Sequence, residues 1–300
     1  MGYWLDVDTG IDDAVALLAA AGAIPAGGWA WVSAVAGNVG LDAVVDNTLR
    51  VLAAAGREEV PVFRGADRPL VRGRVDAAYA HGESGLGGVV LPPPRRAPEG
   101  DLLALAARLA QVPDGSLTLV ATGPLTNVAL LCRLAPDLMR RKVARTVWMG
   151  GGRGRGNVTA AAEFNAYADP EAAAVVLEAL APVAVVDLVT THAAHLTPDE
   201  VRDLARAGSR GALARALLED PAYGGARADG VVVHDAVALL AAVRPGEMFD
   251  LRPAPVEVDL SRGPSYGATL VGPKANGPQA LWPTAPDRAR FAAMLAAALA

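Results

Sequence analysis

Four aspartates lie close together at the start of the chain: Asp6, Asp8, Asp12 and Asp13. Carboxylates this close repel one another, so a fold that brings them together needs a cation, a shared proton or a substrate to offset the repulsion. An all-oxygen set of donors favours a hard cation such as Ca²⁺ or Mg²⁺ over zinc. We therefore expect a metal or substrate site near the start of the chain.

Local helix chemistry explains only part of this cluster. Gly10 allows a sharp turn, and Asp12 and Asp13 then open a helix whose N-terminus favours carboxylates. That accounts for one or two of the aspartates. It does not account for Asp6 and Asp8, which lie on the preceding strand and point to the same side of it. The pair on the strand therefore favours a functional interpretation.

Two other motif classes share features with the cluster. An EF-hand loop starting at Asp6 needs Gly at its sixth position and an acid at its twelfth, but Ile11 and Leu17 stand there. A phosphohydrolase with an aspartyl nucleophile also begins with Asp-x-Asp on a first strand, and it needs a downstream lysine. The only lysines are Lys142 and Lys274. The EF-hand is excluded, and the phosphohydrolase stays open as an alternative.

Three further polar segments follow strands or open helices later in the chain. His234 and Asp235 stand directly before the apolar stripe of a helix. The segment Asn157–Asn165 offers donors and acceptors that suit a polyhydroxylated ligand. At Thr122 a strand ends before Gly-Pro, and a backbone carbonyl there is able to ligate a hard cation. Each segment also has a structural interpretation, as a helix cap, a polar loop or a strand-to-helix turn.

The bulk composition limits the class of protein. The chain has 300 residues, a net charge of −5 and 52% hydrophobic residues, which suits a single domain over residues 1–300. The mild net negative charge provides no excess of basic residues of the kind that binds nucleic acid or an anionic membrane. No apolar run is long enough to span a bilayer. We also expect no leader peptide, because the first residues run straight into a strand.

Cysteine usage bears on metal chemistry and on location. Cys132 is the only cysteine, so an intramolecular disulfide is impossible and a reducing, cytoplasmic location is expected. No cysteine lies near His192 and His195, and no matching histidine pair exists, so we interpret these two histidines as structural and not as zinc ligands.

Short β-rich runs alternate with helical patterns along the chain. Strands are predicted over Tyr3–Asp8, Trp29–Ala36, Ser116–Ala121, Val143–Met149, Val183–Val186, Pro255–Leu260 and Thr269–Val271. Helices are predicted over Asp12–Gly22, Asp42–Ala55, Leu125–Leu134, Asp235–Val243 and Asp287–Leu299. The alternation predicts an α/β fold with a mostly parallel central sheet flanked by helices, and with ligands at the carboxyl ends of the strands. The Gly- and Pro-rich segments Arg64–Pro98 and Asp220–Gly230 are predicted as long, mobile loops.

Taken together, the motifs resemble the inosine–uridine-preferring nucleoside hydrolase family, in order and through nearly the whole chain. They are Asp6-x-Asp8-x-Gly10-x-Asp12-Asp13-Ala14, Gly37-Asn38-Val39, His81-Gly82 with Gly85-Leu86-Gly87, Gly123-Pro124-Leu125-Thr126-Asn127, Met149-Gly150-Gly151, Glu163-Phe164-Asn165 with Asp169-Pro170, and His234-Asp235-Ala236. The resemblance implies a single domain with a Rossmann-like core, a homo-dimer or homo-tetramer, and Ca²⁺-dependent hydrolysis of the N-glycosidic bond of ribonucleosides.

The resemblance also implies roles for individual residues. The Ca²⁺ ligands would be Asp8, Asp13, Asp235 and the backbone carbonyl of Thr122, with Asp8 as the general base for the attacking water. The residues around the substrate would be Asp12, Asn38, His81, Met149, Asn157, Glu163, Phe164, Asn165 and His234. Of these, Asp12 would bind the ribose, His81 would lie near the base on the mobile loop, and His234 would protonate the leaving base.

The sequence leaves several points open. Where relatives carry groups that contact the base, residues 221–230 offer only Tyr223 and Arg227, so the preferred base is not predicted. Trp148 and Trp282 fit a core position as well as a base contact. Asp6 has no role beyond support of its neighbours. A nucleoside-binding homologue without turnover is a second alternative.

Overall fold

The computed structural model describes all 300 residues and is built on one long sheet. The strands are β1 (Gly2–Val7), β2 (Trp29–Ala34), β3 (Val62–Arg64), β4 (Gly100–Asp101), β5 (Leu117–Ala121), β6 (Val143–Met149), β7 (Ala184–Val186), β8 (Ala226–Arg227), β9 (Gly230–Val231), β10 (Leu251–Val258), β11 (Thr269–Val271) and β12 (Gln279–Pro283). Ten of them form the sheet, and β8 and β9 form a separate two-stranded ribbon.

Helices connect these strands. They are α1 (Ile11–Ala23), α2 (Leu41–Ala54), α3 (Ala78–His81), α4 (Leu102–Gln111), α5 (Thr126–Leu134), α6 (Pro136–Lys142), α7 (Phe164–Ala168), α8 (Pro170–Ala179), α9 (Leu188–Ala193), α10 (Pro198–Asp203), α11 (Gly208–Leu218), α12 (His234–Val243) and α13 (Arg288–Leu299). None of them is long and apolar enough to cross a membrane.

The order of the strands places β1 near the middle of the sheet: β11-β10-β12-β7-β6-β5-β1-β2-β3-β4. Every pairing from β12 through β4 is parallel, and the two pairings of β10, with β11 and with β12, are antiparallel. The chain leaves β1 towards β2 on one side and returns to β5 on the other. Such a switch in strand order opens a crevice at the carboxyl ends of the strands. The predicted α/β fold with a mostly parallel central sheet is confirmed.

The core lies on both faces of the sheet. Successive residues of β1 point to opposite faces, so Leu5 and Val7 pack with α1, α12 and α13 while Trp4 packs on the other face. Trp148 and Trp282 also belong to this second core and are buried. Helix α1 is buried from Ile11 through Ala21, because it lies between the sheet and neighbouring helices.

Three predicted segments differ from the structure by more than a shift of one or two residues at their ends. The strand predicted over Pro255–Leu260 runs instead over Leu251–Val258. β11 pairs only with residues 256–258, so the first half of β10 is an edge on that side, where proline is tolerated. The segment Arg64–Pro98 is not all loop, since it contains α3, and Asp220–Gly230 contains most of the small β8–β9 ribbon.

Candidate functional site

The carboxyl ends of the central strands open into a cavity of ≈ 270 Å³. β1 leads into the aspartate cluster, β2 into Asn38, β5 into Thr122, and Met149 ends β6. Eleven of the predicted site residues line the cavity: Asp12, Asn38, His81, Thr122, Met149, Asn157, Glu163, Phe164, Asn165, His234 and Asp235. Asp8 and Asp13 are buried and do not line it. The fold thus brings residues from nearly the whole chain together at the carboxyl ends of the strands, where ligands bind in parallel sheets.

Asp8 is held tightly at the end of β1. Its Oδ2 accepts a hydrogen bond from the backbone N–H of Asn38 at 2.8 Å, and its Oδ1 is buried without a hydrogen-bond partner. A Cβ on Gly37 would lie 2.1 Å from Oδ2, and a Cβ on Gly123 would lie 2.7 Å from Oδ1. The carboxylate therefore occupies a slot that exists because two flanking residues lack side chains.

Asp13 connects three elements through its carboxylate. Oδ2 accepts hydrogen bonds from the Gly10 N–H at 3.0 Å and from Asn38 Nδ2 at 3.1 Å. Oδ1 accepts one from the Thr122 hydroxyl at 2.7 Å. The side chain thus ties the start of α1 to the loops that follow β2 and β5.

Asp12, Asp13 and Asp235 form a buried carboxylate cluster that could hold a metal ion. One oxygen from each lies within 4.8 Å of the others. Burial raises the pKa of Asp12 and of Asp13 to about 6, and it raises the pKa of Asp235 and of Asp8 well above the ordinary value. Neighbouring carboxylates add to the increase for Asp8 and Asp235, because like charges disfavour ionisation.

The donor set fits a hard cation. All the donors are oxygens, and the cluster contains no sulfur or imidazole nitrogen. Oδ1 of Asp8 and Oδ1 of Asp12 are both buried with no hydrogen-bond partner. Buried carboxylate oxygens without partners are costly unless a cation or a proton satisfies them. The arrangement is therefore competent to bind a divalent cation of the calcium or magnesium type.

Asp6 lies beneath this cluster and belongs to a separate hydrogen-bond network. Its Oδ1 accepts from the Ser33 hydroxyl and, at 2.8 Å, from Asn127 Nδ2, while Trp4 Nε1 donates to Ser33 at 2.7 Å. Burial raises the pKa of Asp6 to about 7. The network joins β1 and β2 to α5, which gives this aspartate a structural role next to the site.

Glu163 and Asn165 form part of the wall of the cavity. Glu163 caps α7 and accepts three backbone hydrogen bonds, from Gly151, Asn165 and Ala166, at 2.8 to 3.0 Å. Burial still raises its pKa to about 7. Asn165 Nδ2 donates to the carbonyl oxygens of Thr122 at 2.6 Å and Met149 at 3.1 Å. This wall is therefore fixed to the ends of β5 and β6.

The remaining polar group of this segment lies at the rim of the cavity. Asn157 Oδ1 accepts a hydrogen bond from the Phe164 N–H at 2.9 Å, which secures the loop before α7. Its amide nitrogen is left for other partners. Asn157 is exposed, so it lies between the cavity and solvent.

His81 contacts the aspartates from a distant segment. It ends α3, and Gly82 follows with φ +75, a backbone conformation that favours glycine. Its Nδ1 accepts the N–H of Ile11 at 3.1 Å and lies 3.9 Å from Asp12 Oδ1. Burial lowers the pKa of His81 to about 4. A neutral ring on a short helix therefore covers the first turn of α1.

His234 begins α12 and lines the cavity. Its Nδ1 lies 2.8 Å from the Thr191 hydroxyl, and its ring lies 5.5 Å from the ring of His192, centroid to centroid. Burial lowers the pKa of His234 to about 3. The ring is therefore neutral at pH 7 and is able to act as a hydrogen-bond donor from one nitrogen.

Two tyrosines also line the cavity: Tyr223, which the sequence offers only as a possible base contact, and Tyr79, to which it gives no role. Tyr79 on α3 is 71% exposed at the rim. Tyr223 is buried, donates its hydroxyl to the Val232 carbonyl at 2.6 Å and packs 6.0 Å from the His81 ring, centroid to centroid. Both come from the two Gly-rich segments, so the only sequence signal for them was the presence of an aromatic ring in those segments. Arg227, by contrast, is exposed on β8 and does not line the cavity.

Comparisons with known proteins agree on one family. The family model described as inosine-uridine preferring nucleoside hydrolase matches residues 3–293. The chain is 40% identical over 270 residues to the non-specific ribonucleoside hydrolase RihC of Shigella boydii and to that of Escherichia coli, covering 89% of this chain and 87% of each relative. Both relatives are named for an activity and for broad specificity.

Solved structures give the same result. A plant nucleoside hydrolase, PpNRh1, superimposes with a TM-score of 0.88 at 30% identity, covering 99% of this chain and 98% of that one. A purine-preferring ribonucleoside hydrolase from Gardnerella vaginalis superimposes with a TM-score of 0.88 at 26% identity, covering 100% and 98%. The likeness therefore extends over the entire fold.

Proposed function

The chain belongs to the inosine-uridine preferring nucleoside hydrolase family, and we propose that it uses Ca²⁺ and Asp8 to hydrolyse the N-glycosidic bond of ribonucleosides. It is a hydrolase acting on N-glycosyl bonds. The observation that carries the proposed mechanism is the buried Asp8 carboxylate, whose Oδ1 has no partner, beside the Asp12–Asp13–Asp235 cluster. The products are the free base and ribose.

Four groups would hold the cation: the carboxylates of Asp8, Asp13 and Asp235 and the backbone carbonyl of Thr122. That carbonyl already accepts a hydrogen bond from Asn165, and its second lone pair is left for a ligand bond. When bound, Ca²⁺ offsets the carboxylate repulsion and lowers the pKa of a coordinated water. The raised carboxylate pKa values predict that cation and proton compete for the site.

Asp8 is proposed as the general base. A base must lie within hydrogen-bond reach of the water proton that it removes. The slot between Gly37 and Gly123 fixes the carboxylate, and the Asn38 N–H occupies one oxygen. The other oxygen is therefore the one that accepts the proton.

The ribose is proposed to lie against Asp12, Asn38, Asn157, Glu163 and Asn165, with Met149 packed alongside. Cleavage of an N-glycosidic bond passes through a sugar with oxocarbenium character, so positive charge develops on the ribose. Carboxylates and carbonyl oxygens fixed around that ring stabilise the charge as it forms. The free Oδ1 of Asp12 is the group best placed to accept a ribose hydroxyl.

The base is proposed to lie at the end of the cavity that holds His81, Phe164 and His234. As the C1′–N bond breaks, its electron pair goes to the base, and His234 supplies a hydrogen to that base. Because burial keeps the ring neutral, we expect this help to begin as a hydrogen bond and not as transfer from an imidazolium.

A nucleoside screen tests the proposal. Inosine, uridine, adenosine, cytidine and guanosine are each incubated with purified protein, and released ribose is measured as reducing sugar. Release without phosphate, lost with chelator and restored by Ca²⁺, supports the mechanism. Release that needs phosphate would indicate a phosphorylase. Binding without release would indicate a homologue that has lost turnover, and release of phosphate from phosphate esters would favour the phosphohydrolase.

The setting of the enzyme is also a proposal. We propose a cytoplasmic enzyme of nucleoside salvage, in keeping with its single, buried cysteine. A homo-dimer or homo-tetramer is proposed from family membership. Cell fractionation and light scattering on the purified protein test these two statements.

A further inference from the structure

A buried threonine hydroxyl contacts the His234 ring. Thr191 lies on α9, is 0% exposed, and places its Oγ1 2.8 Å from His234 Nδ1. Nδ1 is the only nitrogen of the ring with a protein hydrogen-bond partner. The ring lines the cavity, so its other nitrogen, Nε2, is the one left for the substrate.

The element that carries Thr191 is itself held firmly. Asp187 caps α9 by accepting the Thr190 N–H at 3.1 Å. Arg153 donates to both oxygens of Asp187, at 2.8 and 3.1 Å. A β-branched side chain on a fixed helix is restricted at χ1, which limits the directions in which the hydroxyl can point.

The hydroxyl has a single hydrogen and two candidate acceptors. One is the carbonyl oxygen of Leu188 at 3.3 Å, and the other is Nδ1 of His234 at 2.8 Å. The shorter contact has the ordinary length of a hydrogen bond from a hydroxyl, and the longer one is beyond it. Donation to Nδ1 therefore makes the better hydrogen bond, and it requires a lone pair on that nitrogen.

No carboxylate stabilises a positive charge on this ring. His81 and His195 each have an aspartate within 4.0 Å, and His234 has none. A ring with one hydrogen and an accepting Nδ1 carries that hydrogen on Nε2. With the hydroxyl as donor, the tautomer is set by the partner of Nδ1.

We propose that Thr191 is a positioning residue that locks His234 in the Nε2–H tautomer and so aims a hydrogen-bond donor at the leaving base. This inference rests on the proposed function, in which His234 faces the base. Pyrimidines and purines both carry an acceptor next to the glycosidic nitrogen, O2 and N3 respectively. The donor stabilises charge on that acceptor as the C1′–N bond breaks, and the proton that Asp8 removes from water balances the one gained by the free base.

The test compares Thr191→Val, which keeps the shape and loses the hydroxyl, with Thr191→Ser, which keeps the hydroxyl. Each variant is assayed on uridine and on 4-nitrophenyl β-D-ribofuranoside, whose leaving group departs without a hydrogen donor. We expect Thr191→Val to lose about 10-fold or more in kcat on uridine and less than about 2-fold on the nitrophenyl riboside. Thr191→Ser is expected to restore uridine turnover.

His234→Ala separates the inference from the proposed function. If His234→Ala also loses activity on uridine and not on the nitrophenyl riboside, and if adding Thr191→Val to it causes no further loss, the role of His234 at the base and the role of Thr191 are both supported. If His234→Ala loses both substrates equally, its role at the base is wrong and the inference falls with it. If His234→Ala shows the selective loss but Thr191→Val affects both substrates equally, the role of Thr191 is overturned and the role of His234 stands.

A spectroscopic measurement reads the tautomer without any turnover. The chain has only 4 histidines, so the ¹⁵N signals of His234 are assignable by comparison with His234→Ala. We expect a pyridine-type Nδ1 and a pyrrole-type Nε2 in the wild type and in Thr191→Ser, and a changed pattern in Thr191→Val. A pyrrole-type Nδ1 in the wild type would overturn the inference.

Discussion

A Cβ on Gly37 would lie 2.1 Å from Oδ2 of Asp8, so the proposed base fits only because residue 37 has no side chain. The same oxygen accepts the N–H of Asn38 at 2.8 Å. Glycine is required here for space and not for an unusual backbone angle, since its φ is not positive.

Gly37→Ala should therefore displace Asp8. A shift of the reacting group by about 1 Å costs on the order of 10²-fold in rate, so we expect kcat on uridine to fall by about that factor. Gly73→Ala is the matched control, because a Cβ there meets open space. Equal activity in the two variants would show that the slot does not position the base.

Asp8→Asn should nearly abolish turnover while leaving the fold intact. The amide keeps the shape but neither takes a proton nor contributes a charge to the cation, and loss of a general base alone costs about 10²–10⁴-fold. Because the variant removes one of several repelling buried carboxylates, we expect its chelator-treated form to melt no lower than the wild type. Uridine turnover above a tenth of the wild-type rate would refute the assignment of Asp8.

2′-Deoxyuridine should be a poor substrate. Without the 2′-hydroxyl, Oδ1 of Asp12 and the neighbouring polar wall lose a partner inside a buried site, and unpaired buried groups are costly. We expect kcat/KM for 2′-deoxyuridine to fall by about 10²-fold or more relative to uridine. Comparable values for the two nucleosides would contradict the proposed ribose contact.

Asp235→Asn should weaken cation binding. The substitution removes one of three clustered charges and leaves a neutral donor of the same size. Titration calorimetry of chelator-stripped protein with Ca²⁺ is expected to show about 10-fold or greater loss of affinity. An exposed aspartate, Asp42, provides the control as Asp42→Asn. Unchanged Ca²⁺ affinity in Asp235→Asn would show that Asp235 is not a ligand of the cation.

The stability of the chelator-treated protein should fall as the pH rises. Burial raises the pKa of Asp6 and Glu163 to about 7 and that of Asp12 and Asp13 to about 6, whereas the unfolded chain has ordinary values of 3.8 for Asp and 4.5 for Glu. Between those limits the folded state binds more protons, so the free energy of unfolding increases as the pH decreases from about 8 to 5.

Thermal melts at pH 5.5 and 8.0 check this sign. We expect a midpoint several degrees higher at pH 5.5 for the chelator-treated protein, and a smaller difference with Ca²⁺ present, because the cation stabilises the ionised carboxylates. A higher midpoint at pH 8.0 without any cation would contradict this prediction, because it would show that the folded protein stabilises the ionised form of these carboxylates.

The grouping of Asp6, Asp8, Asp12 and Asp13 could be predicted because these residues are close together in the sequence. A strand that ends in Asp-x-Asp, a permissive Gly10 and a helix opened by Asp12 and Asp13 stand within one short segment, and parallel topology decides where that segment lies. The alternation of strands and helices could likewise be predicted from the periodic spacing of apolar residues. Short strands such as β3, β4 and β12 were not predicted, because two to five residues give too little periodic signal.

The segment between β3 and β4 shows why the rest could not be predicted. Its course is set by contacts with residues far along the chain. The Leu70 N–H donates to Asp169 at 2.9 Å, and the Arg72 guanidinium lies 3.9 Å from the centre of the Tyr167 ring. These contacts bring His81 to the N–H of Ile11. Nothing in the local composition specifies such partners, so the sequence indicated a loop without its conformation.

The position of β1 in the middle of the sheet has a consequence for how the protein is made. Most of the chain separates Asp8 from Asp235, so Asp235 leaves the ribosome long after Asp8. Until then a nascent chain holds an acidic cluster that lacks a member. The proposed cation site therefore cannot close on a partial chain, and metal loading would be a late event that reports a finished fold.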